Sequence, residues 1–231
     1  MPLTLKFDTE LSMSNTLTTF PLNSLLKRLF AEADAATSPA IAGLSRAEQA
    51  RMMGSKTEYL TFYSLLKDLW LPVSQETGTL LYMLARSMNA RNVLEFGTSF
   101  GISTLHLAAA LRDNGGGRLI SSEFEPSKVA RAREHLVEGG LADLVEIREG
   151  DALATFATDL PDTIDLLLLD GAKSLYSDVL TLVESRLRPG ALIVADNADQ
   201  SPDYVERVRS LRNGYLSVPF GEDVELSIRL G

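Results

Sequence analysis

From residue 92 to its end, the chain alternates short apolar runs with segments of helix length, and the early runs stop at an acid or a glycine. This alternation is typical of βαβ units, in which crossover helices join parallel strands. The pattern predicts seven strands, at residues 92–96, 118–123, 145–149, 164–170, 191–196, 214–219 and 224–230.

Two of these strands indicate how the sheet is arranged. The run from Leu166 to Leu169 has no polar alternation, as expected of a central parallel strand covered on both faces. Only Phe220 to Asp223 separate the last two strands, which is too short for a crossover helix, so they must pair antiparallel. We therefore expect an α/β fold with a doubly wound, mostly parallel, Rossmann-like sheet that ends in an antiparallel hairpin.

The first third of the chain has helical rather than strand periodicity. Apolar residues recur at helix spacing from Leu22 to Phe30 and again from Leu60 to Trp70, with Pro39 between the two segments. We expect an N-terminal helical extension over residues 1–71 and the sheet-bearing domain over residues 72–231.

Composition excludes several classes of function. The formal net charge of -9 argues against binding to a phosphate backbone, so no nucleic-acid partner is expected. Without cysteine, disulfides and zinc–thiolate sites are excluded. We find no signal-peptide pattern in the first 20 residues and no apolar stretch of membrane-spanning length, so the expected location is the cytoplasm.

The segment 93–103 joins the first strand to a helix through a glycine turn. Gly97 and Gly101 allow a ligand to approach the backbone at a helix N-terminus, while Ser99 replaces the second glycine of a dinucleotide fingerprint. Glu123 ends the second strand, where a carboxylate typically accepts ribose hydroxyls, and the polar turn at Asp151 follows the third. The three strand ends together predict a nucleoside-sized ligand, and the missing fingerprint glycine disfavours a dehydrogenase.

A second polar group follows the fourth and fifth strands. Asp170, Asp196 and Asn197 bring two carboxylates and an amide oxygen to neighbouring strand ends, a set that suits Mg²⁺ or Ca²⁺. Such a cation would lower the pKa of a substrate hydroxyl, and Lys173 is then a candidate base.

These residues resemble the small cation-dependent O-methyltransferases, the group that includes the catechol and caffeoyl-CoA enzymes. The resemblance covers about residues 73–230, and its most specific part is the pattern D-x-x-K-x-x-Y from Asp170 to Tyr176 together with Asp196 and Asn197. The other matching segments are 93–103, 121–126, 150–153 and 189–197.

The resemblance implies a set of site residues and a reaction. Asp170, Asp196 and Asn197 would bind the divalent cation, and Lys173 would deprotonate the hydroxyl of a small acceptor, such as an aromatic vicinal diol. Asp170 and Asn197 would thereby also belong to the catalytic set. The residues implied in S-adenosylmethionine binding are Val73, Glu95, Gly97, Ser103, Glu123, Asp151, Ala152 and Asp170.

Several alternatives remain open at this point. The chain could methylate a carboxylate or an amine without a metal, or bind S-adenosylmethionine without catalysis. Catechol enzymes place a glutamate before the last strand, and neither Glu222 nor Glu225 aligns with it, so catechol itself is not assigned. The resemblance also implies homodimers and a substrate lid, for which residues 52–64 are the candidate. The aromatic residues near Trp70 are interpreted as core or interface packing, with an acceptor wall as the alternative.

Overall fold

A seven-stranded sheet forms the centre of the computed structural model, which describes residues 15–38, 41, 43–221 and 223–231. The strands lie in the order β3-β2-β1-β4-β5-β7-β6; β1 to β5 are parallel, and β7 is antiparallel to both of its neighbours. The expected fold, including the terminal hairpin, is confirmed. The strands are β1 (Asn92–Phe96), β2 (Arg118–Glu123), β3 (Val145–Glu149), β4 (Ile164–Leu169), β5 (Leu187–Ala195), β6 (Tyr215–Phe220) and β7 (Val224–Arg229).

Helices cover both faces of this sheet and precede it in the chain. The expected helix from Leu60 to Trp70 is wrong in its second half: it ends at Leu65, and turns carry the chain on to Pro72. In the described ranges the α-helices are α1 (Leu22–Ala35), α2 (Arg46–Met53), α3 (Tyr59–Leu65), α4 (Gln75–Ser87), α5 (Ile102–Asp113), α6 (Pro126–Glu138), α7 (Ala152–Thr155), α8 (Tyr176–Val183) and α9 (Pro202–Arg209). Residues 1–14, Pro39 and Glu222, on which some expectations rest, lie outside those ranges.

The four leucines of β4 are fully buried between β1 and β5, which confirms the central position expected for this strand. β5 begins at Leu187, earlier than expected, because the strand continues past a register shift opposite Ile164. β4 ends at Leu169, so Asp170 lies in the turn that follows rather than in the strand.

Helix α1 is part of the main core rather than an appendage. Its buried leucines, Leu22, Leu25, Leu26 and Leu29, belong to one cluster with residues of the sheet and of α5. By contrast, α2 and α3 share a small cluster built around Phe62. Among the described helices, none is long and apolar enough to cross a membrane.

The order of the strands reverses between β1 and β4, and ligands bind α/β sheets at the carboxyl ends of such a pair. The loops that follow these two strands touch: the backbone N–H of Asp170 donates to the carbonyl of Phe96 over 2.8 Å. The fold therefore brings the glycine loop and the second polar group to one edge of the sheet.

Candidate active site

The glycine loop after β1 needs glycine at two positions. Gly97 has a φ of +103°, and a Cβ there would lie 2.6 Å from the carbonyl oxygen of Asp170. Gly101 has a φ of +89° and precedes the first turn of α5. L-residues rarely adopt these conformations, so the loop can run this close to β4 only with glycine.

Glu95 lies behind this loop and is fully buried. Three hydroxyls donate to its carboxylate at 2.6 Å each, from Ser103, Thr104 and Ser121. Burial raises the pKa of Glu95 to about 7, although these hydrogen bonds oppose the shift. Glu95 does not line the first or the second cavity described below, so it positions the loop and α5 from within.

Glu123 is held at the end of β2 by backbone donors. The N–H groups of Ser99 and Glu125 donate to its two carboxylate oxygens over 2.8 and 3.0 Å. Burial raises the pKa of this carboxyl group. Ser99 and Glu123 line a cavity of about 70 Å³, the first cavity, together with Gly97, Asp151, Ala152 and residues of α3 and α6.

The first cavity is covered by α3 of the N-terminal segment. The hydroxyl of Tyr59 donates to Oδ2 of Asp151, and Oδ1 of Asp151 accepts the N–H of Leu153 at the start of α7. Burial, with the adjacent carboxylate, raises the pKa of Tyr59 to about 12. The turn expected to frame an adenine is therefore bridged to a helix 92 residues earlier in the chain.

The turn after β4 holds a buried ion pair. The ammonium of Lys173 donates to Oδ1 of Asp170 over 2.9 Å and to the hydroxyl of Tyr176 over 2.8 Å. Tyr176 in turn donates to the backbone carbonyl of Asp196 over 2.8 Å. This chain of contacts fixes the relative positions of the ends of β4 and β5, and it explains the spacing of Asp170, Lys173 and Tyr176 in the sequence.

Asn197 completes the second polar group from a left-handed conformation, with a φ of 48°. Its amide nitrogen donates to Asp223 over 2.9 Å, so its own oxygen is left for another partner. In the part of the chain that the structure describes, no three His, Cys, Asp or Glu side chains are grouped to hold a metal. The predicted set instead combines two carboxylates with one amide.

Electrostatics in this group favour an added positive charge. Burial and the neighbouring Asp170 raise the pKa of Asp196 to about 7, and burial also raises the pKa of Asp170, against the effect of Lys173. Burial opposes the charge of Lys173, but its polar partners Tyr176, Asp170 and Asp196 outweigh burial and raise its pKa. Lys173 thus holds its proton in this arrangement.

A second cavity, of about 820 Å³, lies on the other side of Asp170. Its wall includes Lys173, Asp196 and Asn197, together with Val73, while Ser103 lies on a smaller pocket beside the glycine loop. Asp170, Gly171, Tyr63 and Leu71 line both the first and the second cavity. The two cavities therefore meet at the turn after β4.

Some features of the site have no signal in the sequence. Asp223, which orients Asn197, lies in a hairpin turn, and Tyr59 resembles any other aromatic residue of an amphipathic helix. Both histidines are buried and bonded to backbone carbonyls, at Ile102 and Phe100, which agrees with a structural role. Glu225 is bound by Arg209 and Ser217 on the sheet, away from both cavities.

Comparison with known proteins places this site in a family. Residues 94–198 match the methyltransferase domain family. This part of the chain is similar to methyltransferase domains. The expected resemblance is thereby confirmed, and this domain spans the sheet from β1 to β5, with both polar groups inside it.

Individual relatives agree with this assignment. The chain is 38% identical over 128 residues to a catechol O-methyltransferase of Niastella koreensis, which covers 54% of this chain and 57% of that protein. It is 28% identical to caffeoyl-CoA O-methyltransferase 1 of Eucalyptus globulus, over 54% and 51% of the two chains. The chain thus spans little more than half the length of these curated relatives.

A solved structure extends the similarity beyond the matched domain. The O-methyltransferase TomG from Streptomyces achromogenes, in complex with S-adenosylmethionine, superposes with a TM-score of 0.63 at 26% identity. The superposition covers 87% of this chain and 99% of that chain. The superposition therefore includes part of the N-terminal segment, since residues 72–231 alone are shorter than the aligned length.

Proposed function

We propose that this chain transfers the methyl group of S-adenosylmethionine to a hydroxyl of a small acceptor. The observation that carries the proposal is the meeting of the two cavities at Asp170. A donor in the first cavity and an acceptor in the second would face each other across this turn. Holding both reactants in attack geometry supplies much of the rate of such a transfer.

The donor occupies the loops after β1, β2 and β3. Glu123 accepts the ribose hydroxyls, and Asp151 with Ala152 frames the adenine. The methionine end lies along Gly97, Ser103 and Asp170, with Val73 at the boundary to the second cavity. The support for this placement is that all of these residues except Val73 and Ser103 line the first cavity, and these two lie beside it.

The residues at the second cavity fit a divalent cation. Two buried carboxylates beside each other, opposed by a single lysine, carry an excess of negative charge that a cation relieves. Carboxylate and amide oxygens are the ligands that Mg²⁺ and Ca²⁺ prefer. Asp170, Asp196 and Asn197 would hold the cation, which when bound lowers the pKa of an acceptor hydroxyl.

Lys173 is the base in this proposal, and its surroundings set a condition on that role. The two carboxylates stabilise its ammonium form, so Nζ can accept a proton only when their charge is neutralised. Tyr176 keeps Nζ directed at Asp170 by accepting its second hydrogen bond. A metal-independent reaction on a carboxylate or an amine would leave this lysine without a role.

The charges on the second cavity favour a neutral or cationic acceptor. Its described wall carries five acidic side chains and one lysine, and that lysine is already paired. Three of the acids, Asp34, Glu76 and Asp223, are exposed at the rim. An acceptor that carries phosphates would meet like charges there, so we infer that acyl-CoA thioesters are poor substrates.

The N-terminal segment acts as a lid in this proposal. Residues of α3 border both cavities, Met53 of α2 borders the second, and Tyr59 bridges to Asp151. Because α1 is packed in the main core, the moving part would be limited to the candidate lid, residues 52–64. The domain boundary at residue 72, the cytoplasmic location and the homodimer stay predictions of the sequence.

The proposal is tested by methyl transfer to a panel of phenols and vicinal diols, with magnesium and with excess EDTA. We expect Asp170→Asn and Asp196→Asn to lower magnesium-dependent turnover by about 100-fold or more, while binding of S-adenosylhomocysteine persists in Asp196→Asn, whose side chain does not line the first cavity. Asp199 is an exposed acid that follows β5, as Asp196 does, so Asp199→Asn is the matched control. Full activity in EDTA would refute the role of the cation, and full activity of Lys173→Met would refute the base.

A further inference from the structure

Lys128 is a buried cation that neither the fold nor the proposed chemistry uses. It lies in the first turn of α6, is 4% exposed, and lines the first cavity next to Glu123. Its ammonium nitrogen lies 5.4 Å from the centre of the Phe100 ring, a cation–π distance. A lysine is almost never buried to this extent unless it is paired.

Three separate effects disfavour the charged form of the Lys128 side chain at this position. Removal from water penalises the charged form, and this burial lowers the pKa of Lys128, against the field of Glu123. The first turn of a helix carries partial positive charge, which repels a cation. An ammonium group has three donors, and within the described residues Lys128 has neither a hydrogen-bond acceptor nor a carboxylate oxygen within 4.0 Å.

The nearby carboxylate does not serve as its partner. No hydrogen bond and no ion pair within 4.0 Å joins Glu123 to Lys128, and each oxygen of Glu123, which accepts one backbone N–H, from Ser99 or from Glu125, keeps a lone pair for a further donor. The field of Glu123 reduces the cost of the ammonium without forming a hydrogen bond to it. Lys128 therefore has unused donors in the cavity, beside the group to which a ribose is expected to bind.

We propose that Lys128 is a positioning residue for the methyl donor: its Nζ donates a hydrogen bond to a ribose hydroxyl oxygen that at the same time donates to Glu123. A hydroxyl has both a donor and acceptor lone pairs, so one carboxylate and one ammonium satisfy it from two sides. This inference rests on the proposed function, because it requires the nucleoside of S-adenosylmethionine in the first cavity. Binding of the ribose would offset these unfavourable terms.

A purely structural role of Lys128 and the proposed role in ribose binding predict different effects of its removal on stability. If Lys128 mainly supports Glu123 or Phe100, its removal should lower the melting temperature of the ligand-free protein. If Lys128 functions mainly in binding the ribose, Lys128→Met should leave the melting temperature unchanged or raise it. Methionine keeps contact with Phe100 and removes the buried charge. Failure of the variant to fold would therefore count against the proposal.

The test is calorimetric binding of S-adenosylhomocysteine and of its 2′-deoxy and 3′-deoxy analogues to the wild type and to Lys128→Met. A hydrogen bond to a charged group corresponds to roughly ten- to hundredfold in affinity, so we expect this loss for the variant with S-adenosylhomocysteine. With one of the two deoxy analogues, the variant and the wild type should bind within about threefold of each other, because the partner hydroxyl is absent.

The controls separate the possible failures. Lys128→Arg keeps a charged donor and should retain more discrimination between the ribose and deoxyribose ligands than Lys128→Met; Lys67→Met, at an exposed site, should bind as the wild type does. An equal loss for all three ligands, or no loss in Lys128→Met, would overturn the role of Lys128 alone. No binding of S-adenosylhomocysteine to the wild type would overturn the proposed function itself.

Discussion

Replacement of Glu95 by glutamine should change how the stability of this protein depends on pH. Glu95 is the fully buried acid behind the glycine loop, and it accepts hydrogen bonds from three hydroxyls. Glutamine has nearly the same shape and does not titrate. Because hydroxyls can rotate to donate or accept, the variant can keep most of the network.

The magnitude follows from the shift in pKa. The folded protein raises the pKa of Glu95 from 4.5 to about 7. Between these two values the folded state keeps a proton that the unfolded state has lost, so stability falls as pH rises. At 1.36 kcal/mol for each unit of pKa, the wild type loses about 3 kcal/mol across this window, and Glu95→Gln does not.

Urea unfolding at several values between pH 4.5 and 8, followed by circular dichroism, measures this difference. Each curve gives a free energy of unfolding, and the value for the wild type minus that for Glu95→Gln removes the contribution of all other titrating groups. We expect this difference to fall by about 3 kcal/mol as pH rises through the window, and to be constant above it.

A control at an exposed glutamate guards against a general effect of removing one charge. For Glu149→Gln, at the end of β3, the plot of unfolding free energy against pH should be parallel to that of the wild type. If the curves for Glu95→Gln and the wild type are also parallel between pH 4.5 and 7, the three hydroxyls hold the carboxylate ionised. Burial would then not raise the pKa of Glu95 as inferred from the structure.

Three further substitutions test other parts of the structure. Tyr59→Phe removes the bond to Asp151, so the free energy of unfolding should fall by about 1 kcal/mol and S-adenosylhomocysteine should dissociate several-fold faster in stopped flow; an unchanged rate would exclude a closing role for Tyr59. Asp165→Asn weakens three hydrogen bonds at the opposite edge of the sheet. It should lower the free energy of unfolding in urea by about 2 kcal/mol and leave the affinity for S-adenosylhomocysteine unchanged. A change in this affinity would mean that the two edges are coupled. Gly97→Ala forces a Cβ against Asp170 and should weaken calorimetric binding of S-adenosylhomocysteine by about tenfold or more, whereas wild-type affinity would show that the loop adapts.

Much of the sheet could be predicted because its signals are local in the chain. The first three strands occupy the residues expected from their apolar runs, and the leucine run of β4 lies at the centre. Errors occur where tertiary packing overrides the local pattern. The helix expected to reach Trp70 stops at Leu65, and Trp70 instead stacks on Phe100 with ring centres 4.1 Å apart.

In the candidate site, too, some features could be predicted from the local sequence and others depend on tertiary packing. The strand pattern alone predicts that Gly97, Glu123, Asp170 and Asp196 come to one edge of the sheet, because the carboxyl ends of parallel strands share that edge. What each of them contacts there follows from tertiary packing. Contacts such as Tyr59 with Asp151, and the unpaired position of Lys128, depend on segments far apart in the chain, and no local periodicity encodes their meeting.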